Sequence, residues 1–343
     1  MEEPGPGEQR ALSIRDIARL AGVSRQTVSR VLNGERYIKP STEAQVRKVI
    51  EEHSWRPNSA ARALATARSR TIGLLVSARS HYGPFSAATA IDEAARNRGY
   101  AILSATLARE DDESISAALD AFVAQGVEGV VVIAPQQRAH EALQRVTFKV
   151  PLVSLHWKSD GDDRVAAFDQ LAGARLATRH LIELGHTRIR HLAGPQDWSE
   201  AEDRMNGFLA ELDDHDLPIT APILGDWTAD LGYEVGLKIL HHPDFTAIFA
   251  SNDQMALGLM HAAAELGIAV PGDLSIVGFD DIPEAKHYSP PLTTIRQDFG
   301  WLGARAIEVL LAQIEREAMA PAAEYPVPQL IVRGSTGPPR AGR

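Results

Sequence analysis

The side chains with the clearest chemistry lie between positions 24 and 33. Arginine and glutamine near the start of a helix can pair with guanine O6 and N7, or adenine N6 and N7, in the major groove of DNA. If this segment is helical, Val28, Val31 and Leu32 face inward at helical spacing. The opposite face then carries five polar side chains, Arg25, Gln26, Ser29, Arg30 and Asn33. We expect this polar stripe to read DNA bases.

A helix-turn-helix is the element that would position the polar stripe. Apolar residues repeat at helical spacing over 14–21, and Ser13 precedes them as an N-cap. Gly22 permits the turn, and the Ser24 hydroxyl can accept from free N–H groups of the second helix. A third helix, capped at position 41 or 42 and running to 53, would complete the small core. The alternative is an ordinary helical hairpin with a solvated polar face.

The charge of the chain is unevenly distributed. Residues 10–70 contain 13 Lys and Arg against 5 Asp and Glu, whereas residues 71–343 contain 22 against 37. A basic head with a net charge of +8 attracts phosphates, although the remaining body has a net charge of −15. The isoelectric point of about 5.7 therefore does not exclude nucleic acid as a partner. The alternative is that the basic residues only solvate a small helical domain.

Residues 56–70 connect the head to the rest of the chain. Pro57 ends the third helix, because proline disfavours helix in the residue before it. Residues 59–65 favour a helix, but an isolated helix of that length is not stable in water. We expect a hinge that becomes helical on docking, with Leu64 as an apolar residue that has no local core. The alternative is an alanine-rich linker.

Composition excludes several classes of protein. The 343 residues include no cysteine, which excludes disulfides, thiolate catalysis and cysteine-based zinc sites. No apolar run approaches the length of a membrane span, and the first residues lack the features of a signal peptide, so we expect a cytoplasmic protein. His180 with His186, and His241 with His242, have no convincing metal-ligand spacing. No cofactor-binding fingerprint is present, and we expect neither a metal nor a cofactor.

From residue 71 onward, short apolar runs alternate with helical segments. This alternation predicts parallel sheets covered by helices on both faces, arranged as two doubly wound lobes. Ligands in such folds bind at the carboxyl ends of the strands. The predicted helices cover 86–98, 113–125, 171–184, 200–212, 229–240 and 254–266. The predicted strands cover 71–76, 100–104, 129–133, 151–155, 165–168, 188–192, 247–250 and 274–278.

Several longer motifs are spread over the body. They are His180-Leu-x-x-Leu-Gly-His186, Ala193-Gly-Pro195, Gly225-Asp-Trp227, Ser251-Asn-Asp-Gln-Met-Ala-Leu-Gly258, Val277-Gly-Phe-Asp-Asp281 and Pro290-Pro-Leu-Thr-Thr-Ile-Arg-Gln-Asp-Phe299. Together with the head, they resemble the lactose repressor family of bacterial transcription regulators over about residues 12–336. The resemblance implies a small all-α helix-turn-helix head and an α/β, periplasmic-binding-protein-like body of two doubly wound lobes.

The resemblance also implies domain boundaries. The head covers 10–58, the hinge helix and linker 59–70, the effector-binding and dimerisation domain 71–337, and a tail 338–343. Within the body, crossovers give an N-terminal lobe of 71–168 and 297–326 and a C-terminal lobe of 169–296 and 327–337. The chain shows no apolar heptad helix after residue 337, the element through which tetrameric relatives assemble. We expect a homodimer, because two heads that read two half-sites double the contacts of one small module.

Residue roles are carried over from the family in the same way. The implied DNA-binding set is Ser24, Arg25, Gln26, Thr27, Ser29, Arg30, Asn33, Asn58, Ala61, Arg62 and Leu64. Leu64 resembles the paired leucines with which the family enters the minor groove. The implied effector-binding set is Ser77, His156, Phe168, Arg204, Trp227, Asn252, Asp280, Gln297 and Phe299.

The chemistry of the second set suits a small sugar. Carboxylate, amide and guanidinium groups pair with hydroxyls, and aromatic faces cover the C–H side of a sugar ring. His156 stands where many family members have an aspartate, so the sugar need not be a galactoside. The resulting expectation is a repressor that binds a palindromic operator as a dimer and is switched by a small sugar or sugar derivative.

Two other functions share parts of the pattern. A sugar-processing enzyme could use Asp280 and Asp281, but adjacent residues at a strand end point to opposite sides, whereas glycoside hydrolysis needs two carboxylates that face one bond. A solute-binding protein of the same fold would need no DNA-reading head. DNA binding therefore discriminates between these alternatives.

Overall fold

The computed structural model describes residues 12–32, 38–55, 68–77, 81–107, 109, 111–147, 149–155, 167–241, 243–317, 326 and 328–340. The chain divides into two compact units, Met1–Ser69 and Arg70–Arg343. Asn33, Asn58, Ala61, Arg62 and Leu64, which the resemblance assigns to DNA, and His156, which it assigns to the effector, lie outside the described residues. None of the helices in the described ranges is long and apolar enough to cross a membrane.

Three helices form the first unit. They are α1 (Ile14–Leu20), α2 (Arg25–Leu32) and α3 (Pro40–Glu52). Their inward faces meet in a small core in which Ile17, Val28, Val31 and Val46 are at most 3% exposed. The apolar spacing predicted these helices, and burial of these faces holds them together because helices this short are marginal alone.

Two details of the head differ from the prediction. Leu32, the last residue of α2, is 37% exposed rather than buried. The third helix begins at Pro40, with Lys39 rather than Ser41 or Thr42 in the N-cap position. Proline suits the first helical position since its fixed φ is helical and its missing N–H is not needed there.

The first sheet of the body, with its helices, forms the N-lobe. Its strands are β1 (Thr71–Val76), β2 (Ala101–Thr106), β3 (Gly129–Ile133) and β4 (Leu152–Leu155), and its helices are α4 (Tyr82–Asn97), α5 (Asp112–Ala124) and α6 (Gln137–Arg145). All pairings are parallel in the order β2-β1-β3-β4. β3 is buried along its whole length, as expected of a central strand covered on both faces.

The second sheet forms the C-lobe. Its strands are β5 (Ile189–Ala193), β6 (Ile223–Leu224), β7 (Ala247–Ala250) and β8 (Ser275–Val277), and its helices are α7 (Gln170–Glu183), α8 (Ser199–Asp213), α9 (Ala229–Ile239) and α10 (Asp253–Glu265). The order is β6-β5-β7-β8, again all parallel. The two parallel sheets confirm the predicted fold class.

The last part of the chain passes between the lobes. β9 (Thr294–Arg296) lies beside the end of β8 and pairs antiparallel with β10 (Gln329–Ile331). Helix α11 (Phe299–Glu315) then returns to the N-lobe, where Leu302 and Leu310 pack in one core with Ile91 and Val131. Residues that follow β9 are therefore placed at the junction of the two lobes.

Some predicted elements were wrong or missed. Ala167 and Phe168 are not in a strand, because Asp169 immediately caps α7 by accepting from the Ala172 N–H at 3.0 Å. The sequence pattern missed α6, whose apolar face is small, and β6, β9 and β10, which are too short to show a period. Helix α11 was also missing from the predicted helices, although the expected lobe boundaries included its residues. The remaining predicted helices and strands match the observed ones to within a few residues at each end.

Candidate functional site

Helix α2 presents the predicted DNA-reading residues on its outer face. Arg25, Gln26 and Arg30 are exposed, and Ser29 is half-buried. The Ser24 hydroxyl oxygen accepts from the Thr27 N–H at 3.1 Å and so caps the helix. Exposed arginine and glutamine beside a capped N-terminus can reach base edges and phosphates.

The body has a cleft between the N-lobe and the C-lobe, at the carboxyl ends of the strands. The N-lobe contributes the start of α4, and the C-lobe contributes the ends of β5, β7 and β8. The lining residues are His81, Tyr82, Gly83, Pro84, Trp198, Glu200, Arg204, Trp227, Asn252 and Asp280. At about 40 Å³ the cavity is small, so a sugar-sized ligand requires its lining to move apart.

Four buried side chains form a closed ring of hydrogen bonds beside this cleft, called here the polar ring. Arg204 Nε donates to Gln170 Oε1 at 2.9 Å, and Gln170 Nε2 donates to Gln297 Oε1 at 2.8 Å. Gln297 Nε2 then donates to Asp280 Oδ1 at 2.8 Å, and Arg204 closes the ring to the same oxygen at 3.5 Å. The polar ring therefore joins two cleft residues to Gln170 and Gln297, which lie where the chain crosses between lobes.

Burial dominates the electrostatics of the polar ring. It raises the pKa of Asp280 to about 6, although the Arg204 guanidinium opposes that shift. The pKa of Arg204 is lowered by the same desolvation, and Asp280 opposes it. Both shifts favour the neutral forms, because the loss of hydration outweighs the attraction between the two groups. At neutral pH the carboxylate of Asp280 is the acceptor that a hydroxyl donor would meet.

Asn252 and Trp227 form the next part of the cleft wall. Asn252 caps α10, since its Oδ1 accepts from the Met255 N–H at 2.9 Å, and its Nδ2 donates to the Trp227 carbonyl at 3.0 Å. Trp227 has a φ of +73°, which is unfavourable for a residue with a side chain. Its indole Nε1 is buried without an acceptor among the described residues. An unsatisfied buried donor and local strain are typical of binding sites.

Asp280 and Asp281 point in different directions, as predicted, although they lie in a turn beyond the end of β8 rather than in the strand itself. Asp280 faces the polar ring, whereas Asp281 accepts from Arg296 Nε and from an Arg333 terminal nitrogen, both at 2.6 Å. Both aspartates have positive φ values, +107° and +54°. This strained turn separates the two carboxylates, which therefore do not face one bond.

The remaining predicted effector residues have other partners. The Ser77 hydroxyl donates to Gln136 Oε1 at 2.5 Å, at the end of β1. Phe168 and Phe299 pack edge to face in the N-lobe, with ring centroids 5.4 Å apart. Neither they nor Ser77 line the described cleft, whereas Gln297 reaches it through Asp280.

Sequence reasoning missed several residues of the cleft. Trp198 lies edge-on to Trp227 at 5.5 Å and to His81 at 5.2 Å, and Glu200 follows it in the first turn of α8. Trp198 and Glu200 come soon after the motif that ends β5, and a search of every strand end could have found them. The N-lobe approaches here too, because the Gln137 N–H donates to the Asp197 carbonyl at 2.8 Å. In the described ranges, no group of His, Asp and Glu side chains could hold a metal ion.

Comparisons with known proteins cover both units. Residues 13–58 match the model for bacterial regulatory proteins of the lacI family, and residues 178–336 match the periplasmic binding protein-like domain. The ribose operon repressor of Escherichia coli K12 is 32% identical over 94% of this chain and 99% of its own length. The lactose operon repressor of the same organism is 33% identical over 95% and 91%, respectively.

A solved structure extends this similarity to the fold. The lac repressor dimer bound to operator and the anti-inducer ONPF superposes with a TM-score of 0.81 at 33% identity. The match covers 96% of this chain and all of that chain. The similarity therefore includes both the DNA-reading head and the two-lobed body.

Proposed function

Because this chain belongs to the lacI family of bacterial regulatory proteins, we propose that it represses transcription by binding a palindromic operator as a homodimer and that a small sugar in the cleft controls that binding. The observation that carries the proposal is the presence, in one chain, of the exposed polar stripe on α2 and of a cleft whose polar ring contains Arg204 and Asp280. As a regulator of transcription it would act in the cytoplasm, where bacterial DNA lies.

The head supplies the DNA contacts in this proposal. Arg25, Gln26 and Arg30 read base edges, each good pair contributing about 1–3 kcal/mol of discrimination. Other residues of the DNA-binding set position the head on phosphates and in the minor groove. They are Ser24, Thr27, Ser29, Asn33, Asn58, Ala61, Arg62 and Leu64. One head buries too little surface for specific binding, so two heads in a dimer would read two half-sites.

The body supplies the switch. A sugar held by Arg204, Asn252 and Asp280 of the C-lobe, against Trp227, would also contact the N-lobe, because the start of α4 lines the same cleft. Gln297 would act through Asp280, and Ser77, His156, Phe168 and Phe299 would join the site as the lobes adjust. A ligand shifts a conformational equilibrium only by its differential affinity for the two states, with coupling of about 1–3 kcal/mol in typical cases.

The proposal does not include catalysis. Asp280 and Asp281 have separate partners, and the relatives reported above are named as repressors. No residue of the cleft is therefore assigned a catalytic role.

DNA binding is the test. The full chain would first be used to select preferred duplexes from a random pool, and fluorescence anisotropy would then give its affinity for the selected duplex and for random DNA. Arg25→Ala should lower the affinity for the selected duplex more than that for random DNA. Arg19→Ala is the matched control, because Arg19 carries the same charge but lies on α1. Equal losses for both duplexes would make Arg25 a phosphate contact, and absence of any sequence preference would refute the proposed function.

A further inference from the structure

We propose that the cleft accepts an unphosphorylated sugar and rejects phosphate esters and other anions, with Glu200 as the residue that sets this selectivity. The inference rests on the proposed function, since it names the ligand class for the same cleft. The inference is based on the charged side chains that line the cleft and on the hydrogen bonds of the Arg204 guanidinium.

Carboxylates outnumber cations around the cleft. Among the lining residues that the structure describes, Arg204 carries the one permanent positive charge, and Glu200 and Asp280 are both carboxylic acids. Both of these acids act electrostatically on Arg204. An anion that enters this space meets more negative than positive charge, and juxtaposed like charges in a poorly hydrated site disfavour binding.

The guanidinium of Arg204 is committed to protein acceptors. Its Nε donates to Gln170, one terminal nitrogen donates to the Ser251 carbonyl, and the other reaches Asp280 at 3.5 Å. Its carbon also lies 3.8 Å from the centre of the Phe279 ring. Arginine typically binds a phosphate group through two adjacent N–H donors that are not used elsewhere. Arg204 could offer such a pair of donors only if it left both Gln170 and Asp280, whereas a sugar hydroxyl needs a single donor from it.

Glu200 is a buried acid in the first turn of α8, and the stability of the helix does not explain its burial. An acid in the first turn favours the helix dipole, but the exposed Glu202 in the same turn already provides that interaction. Glu200 is 8% exposed and lines the cleft, and one carboxylate oxygen accepts from the Ser199 hydroxyl at 3.2 Å. An ionised carboxylate only accepts hydrogen bonds, and it has sites for several donors. It therefore suits the hydroxyls of a sugar.

The aromatic residues and the unsatisfied donor agree with a neutral ring. Trp198 and Trp227 lie 5.5 Å apart, and aromatic faces can cover the C–H surface of a sugar. The buried Nε1 of Trp227 can donate to a hydroxyl oxygen that also donates to a carboxylate. A sugar hydroxyl both donates and accepts, whereas an ionised phosphate oxygen only accepts and would face Glu200 and Asp280.

Isothermal titration calorimetry on the full chain tests the proposal with matched pairs. The probes are ribose, glucose and galactose, each against its terminal phosphate ester, with lactose, cellobiose and glucosamine as further uncharged or cationic sugars. We expect at least one unphosphorylated sugar to bind, and the phosphate ester of a binding sugar to bind at least about tenfold more weakly. Tight binding of a phosphate ester would overturn the proposal, as would the absence of binding by every unphosphorylated probe.

Two variants identify the residue responsible. Glu200→Gln keeps the shape of the side chain and removes its charge, and it should reduce the preference for the unphosphorylated sugar at least about threefold. Glu200→Ala provides a second variant with the same expected direction, and thermal unfolding verifies that both are folded. Glu202→Gln is the control and should leave the preference unchanged. An unchanged preference in both Glu200 variants would overturn the role of Glu200.

Operator binding is measured on the same samples. Retained operator binding together with a preference for phosphate esters would refute this inference alone. Loss of sequence preference on DNA would instead refute the proposed function.

Discussion

Replacing Gln170 by leucine tests whether the polar ring stabilises the body. Gln170 is 4% exposed and makes two ring hydrogen bonds, one from Arg204 Nε and one to Gln297 Oε1. The Gln170→Leu variant leaves both partners buried without this contact, at a cost of about 1–3 kcal/mol for each. Leucine has a similar volume, and its apolar burial offsets about 1 kcal/mol. We therefore expect the free energy of unfolding to fall by about 1–5 kcal/mol.

Urea denaturation followed by tryptophan fluorescence measures this change, since four of the five tryptophans lie in the body. Gln137→Leu is the matched control, because Gln137 is exposed on α6 and, within the described part of the chain, its side chain bonds only Glu141 of the same helix. Its replacement should change the free energy of unfolding by less than about 0.5 kcal/mol.

A double-mutant cycle makes the test specific to the polar ring. Gln297→Leu alone removes the partner of Gln170 and a donor to Asp280. The two substitutions together should cost less than the sum of the single ones, by at least about 0.5 kcal/mol, because they share one hydrogen bond. Additive losses, or a loss for Gln170→Leu as small as that of the control, would show that the ring does not act as a unit.

Three further predictions concern function. Sugar affinity should weaken as the pH falls through about 6, because burial raises the pKa of Asp280 to about 6 and protonation removes an acceptor. The sign follows because hydroxyl donors stabilise the carboxylate, so sugar binding releases a proton and sugar affinity levels off above that pH. Calorimetry should show a sugar affinity that does not change with pH for Asp280→Asn. Asp280→Asn and Arg204→Ala should keep operator affinity, measured by anisotropy, but lose the response to sugar at concentrations that saturate the wild type; a normal response would place the effector elsewhere. Leu64→Ala should weaken binding to the selected operator and leave sugar affinity unchanged in calorimetry; equal operator affinity would leave residues 59–65 as a plain linker.

The sequence predicted the features that depend on local pattern. The helices of the head, the parallel strands and most helices of the body were visible because the alternation and spacing of apolar residues reflect the geometry of each element. The opposite directions of Asp280 and Asp281 were also predicted, but the structure produces them by a turn with positive φ values beyond the end of β8 rather than by strand alternation. Short elements such as β6, with two residues, and β9, with three, gave no such signal because an alternation is recognisable only over about 4–8 residues.

The tertiary structure decided which side chains meet. Gln170 and Gln297 are 127 positions apart, and neither helical nor strand periodicity relates them, yet they are hydrogen-bonded to each other in the polar ring. The resemblance likewise assigned Ser77 and Phe168 to the effector without giving their neighbours, and the structure supplies these, because Ser77 bonds Gln136 and Phe168 packs on Phe299, itself a predicted effector residue. Local propensity is set by neighbours within a few residues. The partners of a buried polar group are set by how sheets and crossovers assemble, because each such group must find a hydrogen bond wherever the fold leaves it.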